Sequence, residues 1–346
     1  MNANLGFFLQ ALLAALFFGA SAPVSKIFLG DVPPVLMAAF LYLGSGAGIS
    51  LVKLYQRISK DQKEAGIRRA DVKWLAGAII SGGILAPIVL MISLKNTPAS
   101  TASLLLNFEG VGTTLIALFF FRESISRRAL AAILVITLAS IFLSTDFTSG
   151  FGFSLGALGV ISACILWGVD NNFTRNISAK DPLTIVAWKG LVAGSFSLLL
   201  GLGLGQQLPA VSITLRIFLL GFISYGLSTM LFIYAMRGLG AARTSALYGT
   251  APLAGVILSI VIFRDPLTPL FGIAAVLMAA GALLLANEEH AHYHIHMPVV
   301  HEHRHSHDEF HTHEHDEKAH SHEHEHPQTE HEHGHMPDIH HRHEDK

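Results

Sequence analysis

The sequence predicts an all-α polytopic membrane protein: ten transmembrane helices forming two inverted five-helix repeats, followed by a disordered His-rich tail. Three observations predict it. Before residue 290 the apolar runs approach or exceed the ~18 residues that indicate a membrane span. Short motifs recur between the two halves of that region. All 21 histidines lie between His290 and His343, with none in the 289 residues before them.

Residues 1 to 19 form the start of the first span and not a secretory leader, because no basic segment precedes the apolar run and Lys26 follows it. Ten apolar segments can then be laid out, at about 5 to 24, 34 to 52, 74 to 94, 100 to 121, 129 to 145, 152 to 173, 183 to 205, 213 to 236, 241 to 263 and 267 to 286. Lipid offers the backbone no hydrogen bonds, so runs of this length are expected to be helices. Pro87 and Pro252 fall inside spans and predict kinks. Cys164, the only cysteine, excludes an internal disulfide and reads as a small buried side chain.

Basic residues set the orientation. The loop after the second span carries Lys53, Arg57, Lys60, Lys63, Arg68, Arg69 and Lys73, and the loop after the fourth carries Arg122, Arg127 and Arg128. With Arg175, Lys180, Arg237 and Arg243 that side holds 14 basic residues, against Lys26, Lys95, Arg216 and Arg264 on the other. The richer side is expected to be cytoplasmic. Ten spans then place both termini in the cytosol and the chain in the plasma (inner) membrane.

The segment GASAPVSKIFLGDVP from Gly19 aligns with GVDNNFTRNISAKDP from Gly168 at an offset of 149 residues, and Phe121 to Ser124 aligns with Phe263 to Pro266 at an offset of 142. Each half holds an odd number of spans, so the halves run in opposite directions across the bilayer. In that arrangement the solute site is expected near the midplane between them. The expected divisions are 1–146 for the first repeat, 147–288 for the second and 289–346 for the tail.

On these residues the chain resembles the drug/metabolite transporter superfamily in its EamA-type form. The likeness is carried by the spans ending in Phe121-Arg122-Glu123 and Phe263-Arg264-Asp265, and by the stretch AARTSALYGTAPLAGVILSIVIFR from Ala241 to Arg264. The resemblance covers residues 5 to 286. It implies a secondary carrier, often an exporter of amino acids or other metabolites, with cytoplasmic termini and no ATP-binding domain. Independently, no GxxxxGK[ST] phosphate loop is present. The chain is expected to be no enzyme, to require no cofactor and to bind no nucleic acid; its partners are the lipid bilayer and a small solute or metal ion.

A charge within a span is a functional candidate. Glu109 lies about nine residues into the fourth span, roughly 13 Å deep at 1.5 Å per residue, where a carboxylate could carry a proton or meet a cation. Asp170, with Asn171 and Asn172, lies near the cytoplasmic end of the sixth span, and Lys189 about two turns into the seventh. Asp170 and Lys189 are read either as an ion pair at the repeat interface or, with the two amides, as a cytoplasmic substrate site. Trp167, Tyr225, Tyr234 and Tyr248 are read as packing or interfacial residues that could also line a cavity. Glu123 and Asp265, beside Arg122 and Arg264, read as local salt-bridged caps.

The tail is acidic, residues 290–346 holding 13 Asp and Glu against 4 Lys and Arg, and poor in apolar residues, so no core is expected there. Its candidate metal ligands fall in clusters: His290, His292, His294 and His296; His301, His303, His305 and His307; His311, His313 and His315; His320, His322, His324 and His326; and His331, His333 and His335. Imidazoles at i and i+2 share a face of an extended chain. Nickel, cobalt, zinc or copper suit such ligands. The sequence alone thus favours an exporter of divalent transition metals whose tail collects or senses them. A metabolite exporter with a metal-buffering tail is the alternative, and a non-transporting metal store or sensor comes last. Because the membrane region has no histidine, translocation there has to use Glu109, Asp170 and the amides.

Overall fold

Long apolar segments with no lipid-borne hydrogen-bond partner close their backbone bonds internally, and the described residues between 3 and 286 are accordingly mostly helical, with short connecting loops and the two-residue strands Thr145–Asp146 (β1) and Gly152–Phe153 (β2). The structure, a computed structural model, describes residues 3–59, 65–121, 127–146, 152–177, 180–239, 244, 247–265, 267–286, 290–296, 299–305, 320–326 and 329–335. Arg122 and Glu123, with Lys60, Lys63, Arg243, His307, His311, His313 and His315, lie outside the described residues.

The helices group into ten crossings, in the order expected. The first is α1 (Ala3–Gly19) with α2 (Ser21–Phe28), the second α3 (Pro34–Ser59). The third runs through α4 (Val72–Ala78), a π-helical segment Ile79–Leu85 and α5 (Ala86–Lys95). The fourth comprises α6 (Ala99–Leu105) and α7 (Phe108–Phe121), and the fifth is α8 (Arg127–Ser144). The sixth and seventh are α9 (Leu155–Arg175) and α10 (Pro182–Gly203). The eighth joins α11 (Val211–Gly221), a second π segment Phe222–Leu227 and α12 (Ser228–Leu239). The ninth ends in α13 (Ala251–Phe263) and the tenth is α14 (Pro269–Ala286). Six of these crossings are long and apolar enough to traverse a bilayer by length and composition alone, and the helices of the fifth, ninth and tenth are shorter apolar ones. In the sixth, α9, the polar residues cluster in the second half.

Local chemistry fixes several ends. Ser154 caps α9 by accepting from the Ala157 N–H at 3.3 Å, and Asp181 caps α10 by accepting from the Leu183 N–H at 3.0 Å, with Pro182 pre-set for the first helical position. The two prolines expected to kink their spans sit instead at fresh helix starts. Pro87 opens α5 directly after the first π segment, and Pro252 opens α13 directly after a turn at residues 249–250. Proline has no N–H to offer the carbonyl four residues back, and the chain accommodates the loss by widening or breaking the helix ahead of it.

The fourth span, read from sequence as one continuous helix, is also broken, at Leu106 and Asn107 and without a proline. The discontinuities therefore occur twice. The third and eighth spans each carry a π segment, and the fourth and ninth are each interrupted just before α7 and α13. The two pairs are about 143 residues apart, close to the offset of the sequence motifs.

Packing follows the same symmetry. The third span lies on the sixth as the first lies on the eighth; the fourth lies on the sixth as the ninth lies on the first. The second and seventh, fourth and ninth, and fifth and tenth meet across the two halves. Glycines permit the tightest of these crossings: a Cβ placed on Gly190 of α10 would lie 2.5 Å from the Gly46 nitrogen of α3. Large apolar side chains such as Phe119, Phe120, Leu199 and Val261 remain exposed around the outside, as a lipid-facing surface requires.

The tail contains four seven-residue strands, β3 (His290–His296), β4 (Val299–His305), β5 (His320–His326) and β6 (Thr329–His335). They pair antiparallel as β3 with β6 and β4 with β5. A two-stranded ladder alone is marginal in water, which fits a segment whose composition supplies no core.

Candidate functional site

The breaks and π segments meet in the middle of the bundle, where they free backbone groups and bring polar side chains together. Glu109 occupies the first turn of α7, immediately past the break in the fourth span. Asn107 Nδ2 donates to the Leu104 carbonyl at 3.1 Å, and the Cys164 thiol of α9 lies 3.6 Å from the Leu105 carbonyl, so the acceptors released at the break are met. Cys164 is fully buried, as expected.

Two glycines bring α7 and α9 into backbone contact. A Cβ on Gly168 would lie 2.6 Å from the Gly112 carbonyl carbon. At that separation Asn171 Nδ2 donates to Glu109 Oε1 at 2.9 Å and reaches Thr113 Oγ1 at 3.1 Å. Asn172, on the buried side of α9, donates to the Thr113 carbonyl at 3.0 Å and the Gly168 carbonyl at 2.8 Å. Its amide nitrogen thereby ties helices together.

Asp170 and Lys189 form an ion pair between α9 and α10, and Thr174 Oγ1 donates to Asp170 Oδ1 at 3.0 Å. The pair is well enclosed, with the Asp170 side chain 4 % and the Lys189 side chain 20 % exposed. Gly82 of the first π segment lies flat against this carboxylate, where any Cβ would collide with it. The Gly82 carbonyl accepts from Tyr42 OH at 2.6 Å and from Trp167 Nε1 at 3.1 Å. A widened turn has produced an exposed acceptor, and two aromatic donors from other spans have taken it.

Aromatic rings complete the centre. Tyr42 and Tyr225 stack with centroids 5.5 Å apart, Phe18 meets Tyr225 edge-on at 6.0 Å and Tyr248 at 5.5 Å, and Phe232 lies 4.8 Å from Tyr248. Tyr225 belongs to the second π segment, and Tyr248 immediately precedes the turn that opens α13. Asp170, Lys189, Tyr42, Tyr225 and Tyr248 all lie within the electrostatic reach of Glu109. Among the described residues Glu109 is in no ion pair.

Of the five candidates read from sequence, Glu109 and Asn171 are joined directly, Asp170 and Lys189 are joined to each other, and Asn172 is committed to backbone. The sequence reading missed Tyr42, Phe18 and Gly82. Consecutive glycines at 82 and 83 inside an apolar run were the available signal for the third. Tyr234 lies elsewhere, accepting from Gln56 Nε2 at 2.6 Å.

Polar contacts between the halves close both ends of the bundle. At one end Lys53 Nζ lies 2.7 Å from Asp181 Oδ2, Thr184 Oγ1 donates to the same oxygen at 2.5 Å, the Asp181 N–H donates to the Ala65 carbonyl at 2.9 Å, and Lys180 lies 3.8 Å from Asp71. Burial would raise the Asp181 carboxyl, but Lys53, Thr184 and the Leu183 N–H outweigh it and hold it below the ordinary carboxylate range. At the other end Asp265 Oδ2 joins the halves by accepting from the Ser100 N–H at 2.9 Å and its hydroxyl at 2.7 Å, while Lys26 donates within the first half to the Leu94 carbonyl at 3.0 Å and to that of Thr97. Asp265, expected as a local cap beside Arg264, is thus a bond between repeats. Arg264 ends α13 in the left-handed conformation, with φ 53°.

Among the described side chains, no group of three or more His, Cys, Asp or Glu could hold a metal ion. Residues 6–145 and 154–287 match the model of the EamA-like transporter family. A protein of Methanothermobacter thermautotrophicus (strain Delta H) described as an uncharacterized transporter is 28 % identical over 295 residues, covering 80 % of this chain and 85 % of its own length. A crystal structure of 22 % identity superposes with a TM-score of 0.60 over 81 % of this chain and 95 % of the other, a likeness of fold.

Proposed function

Because the chain belongs to the EamA-like transporter family, we propose that it is a secondary carrier that exports a small organic metabolite, such as an amino acid, whose protonated amine is met by Glu109. The observation that carries this reading is the central carboxylate itself. Asp170 is neutralised by Lys189, whereas Glu109 has an amide donor on one oxygen and no paired cation among the described residues. Tyr42, Tyr225, Tyr248 and Phe18 form one aromatic cluster, and ring faces attract an ammonium group by about 0.5–2 kcal/mol each when correctly placed. A carboxylate beside stacked tyrosines suits an organic amine better than a bare divalent ion, which wants several oxygen, nitrogen or sulfur ligands at once.

The basic loop at the Lys53 end supports a cytoplasmic placement for that face and for both termini, with the protein in the plasma membrane. Glu109 then either binds the solute amine or carries the exchanged proton. Export of nickel or cobalt is the second reading, and only the tail favours it. At the centre, the amide nitrogens of Asn171 and Asn172 are engaged as donors, Asn171 to Glu109 and Thr113 and Asn172 to backbone carbonyls, and Asp170 is bonded to Lys189 and Thr174, leaving few free ligand atoms.

A tolerance and efflux panel of amino acids and of nickel, cobalt and zinc separates the readings. It compares the intact chain, a chain lacking residues 290–346 and Glu109→Gln. An organic-solute carrier raises amino-acid efflux with or without the tail and loses it in Glu109→Gln. Metal tolerance that rises with the intact chain while amino-acid efflux stays flat would replace this reading with the second.

A further inference from the structure

Asn171 is exposed on a face of α9 that is otherwise shut. The buried stripe of that helix runs through Ala157, Val160, Cys164 and Trp167, at alternating spacings of three and four residues, and Asn171 is its next member. Leu155, Leu158 and Ile165, the exposed apolar residues of α9, lie on the opposite side of the helix. The exposure of Asn171 therefore opens onto a space inside the bundle and not onto lipid. Glu109, bonded to Asn171 at 2.9 Å, stands at the wall of that space.

The neighbours of the Asn171 amide fix which way round it sits. Thr113 Oγ1 gives its proton to the Glu109 backbone carbonyl at 2.9 Å, so toward Asn171 it can only accept. Glu109 Oε1, as a carboxylate oxygen, also only accepts. Both require Nδ2, which lies 2.9 Å from the carboxylate and 3.1 Å from the hydroxyl, and this turns Oδ1 away from them. Among the described residues no donor meets Asn171 Oδ1, and none meets Glu109 Oε2. Five side-chain atoms of the described residues are buried without a hydrogen bond, and Oε2 is not one of them. It is thus open to the space instead of sealed off from it.

Two oxygens are left over, one charged and one neutral, on side chains bonded to each other. A charge alone attracts any cation, methylated or not. A pair of acceptors favours a cation with two N–H bonds to give, and a site built for such donors discriminates against an analogue that lacks them.

We propose that Glu109 Oε2 and Asn171 Oδ1 together grip the solute ammonium, so that Asn171 selects amines with two or more N–H bonds over tertiary and quaternary ones. This rests on the reading of Glu109 as the group that meets the amine, and it adds the class of amine. Asn171 acts twice: its nitrogen holds one Glu109 oxygen in place, and its own oxygen supplies the second acceptor.

The test titrates the full-length protein in lipid nanodiscs by calorimetry near neutral pH. The probes are phenylalanine and its N-methyl, N,N-dimethyl and N,N,N-trimethyl derivatives, and the same four forms of glycine. All carry a positive nitrogen, and each methylation removes one N–H bond. Affinity is expected to hold through the first methylation and to fall at least about tenfold between the N-methyl and N,N-dimethyl forms, where one oxygen loses its charge-assisted bond. Asn171→Leu removes the oxygen and keeps the bulk. There the unmethylated and N-methyl forms should weaken at least about tenfold, while the trimethyl forms bind within about threefold of wild type, which also reports a folded variant. A smooth decline across the wild-type series, an unchanged step in Asn171→Leu, or an equal loss of all four forms in that variant would overturn the two-oxygen site and leave the Glu109 reading standing. Glu109→Gln should weaken every form. Wild-type affinities in Glu109→Gln, or no binding of either amino acid by the wild type, would overturn the Glu109 reading and this proposal with it.

Discussion

Removing the charge of Asp170 and of Lys189, singly and together, distinguishes a structural ion pair from a pair of transport ligands. In Asp170→Asn the Lys189 ammonium stays largely enclosed without its counter-ion, and in Lys189→Met the Asp170 carboxylate keeps only the Thr174 hydroxyl. Leaving one member of a buried pair uncompensated costs about 3–5 kcal/mol. At about 1.4 kcal/mol per tenfold, each single change should shift the unfolding equilibrium by roughly two to three and a half orders of magnitude. The double variant removes both charges, and replacing a whole buried pair is often neutral. It should regain most of the loss, with a coupling of at least about 2 kcal/mol. Equilibrium unfolding in mixed micelles, followed by tryptophan fluorescence, measures the cycle, since Trp167 and the Gly82 carbonyl it bonds lie at the pair. A double variant as unstable as the sum of the singles would refute the reasoning, because additivity means that the two charges do not hold one another.

Acidification should loosen the Lys53 end first. Asp181 is held below its ordinary pKa in the folded protein, so its contribution is present above the unfolded carboxylate value of about 3.9 and is lost as pH falls through the lower folded value. Asp181→Asn should flatten that part of a stability-versus-pH profile, and an unchanged profile would show that the contact carries no weight. Gly190→Val should separate α3 from α10, because even a single Cβ would press on the Gly46 nitrogen at 2.5 Å. Overpacking of this kind costs about 1–3 kcal/mol, and size-exclusion chromatography of the detergent-purified variant should show less monodisperse protein; wild-type behaviour would contradict the close contact.

The crossings and their order were legible in the sequence because lipid reduces the choice of backbone structure to helix, and the length of each apolar run then marks each span. Glu109, Asp170 and Lys189 were legible for a related reason: a charge in an apolar run is conspicuous. The direction in which they point was not. Asp170 and Asn171 are adjacent in sequence, yet one turns to α10 and the other to α7, a division set by tertiary packing through Gly168 and Gly82. The π segments were hidden because widening a turn alters hydrogen-bond register and leaves composition untouched. Tyr42 was overlooked for the opposite reason: an aromatic residue in a membrane helix looks like filler until its hydroxyl is seen to reach the Gly82 carbonyl.

The backbone contact of Gly46 with Gly190 has a mechanical consequence. With no side chains between them to compress, α3 and α10 can rock about that point but cannot draw closer. Gly46 lies seven residues before Lys53 on α3, and Gly190 nine residues after Asp181 on α10, about 10–14 Å of helix at 1.5 Å per residue. A rotation of about 10° about this fulcrum moves groups at that radius by roughly 2 Å, enough to part the 2.7 Å contact of Lys53 with Asp181.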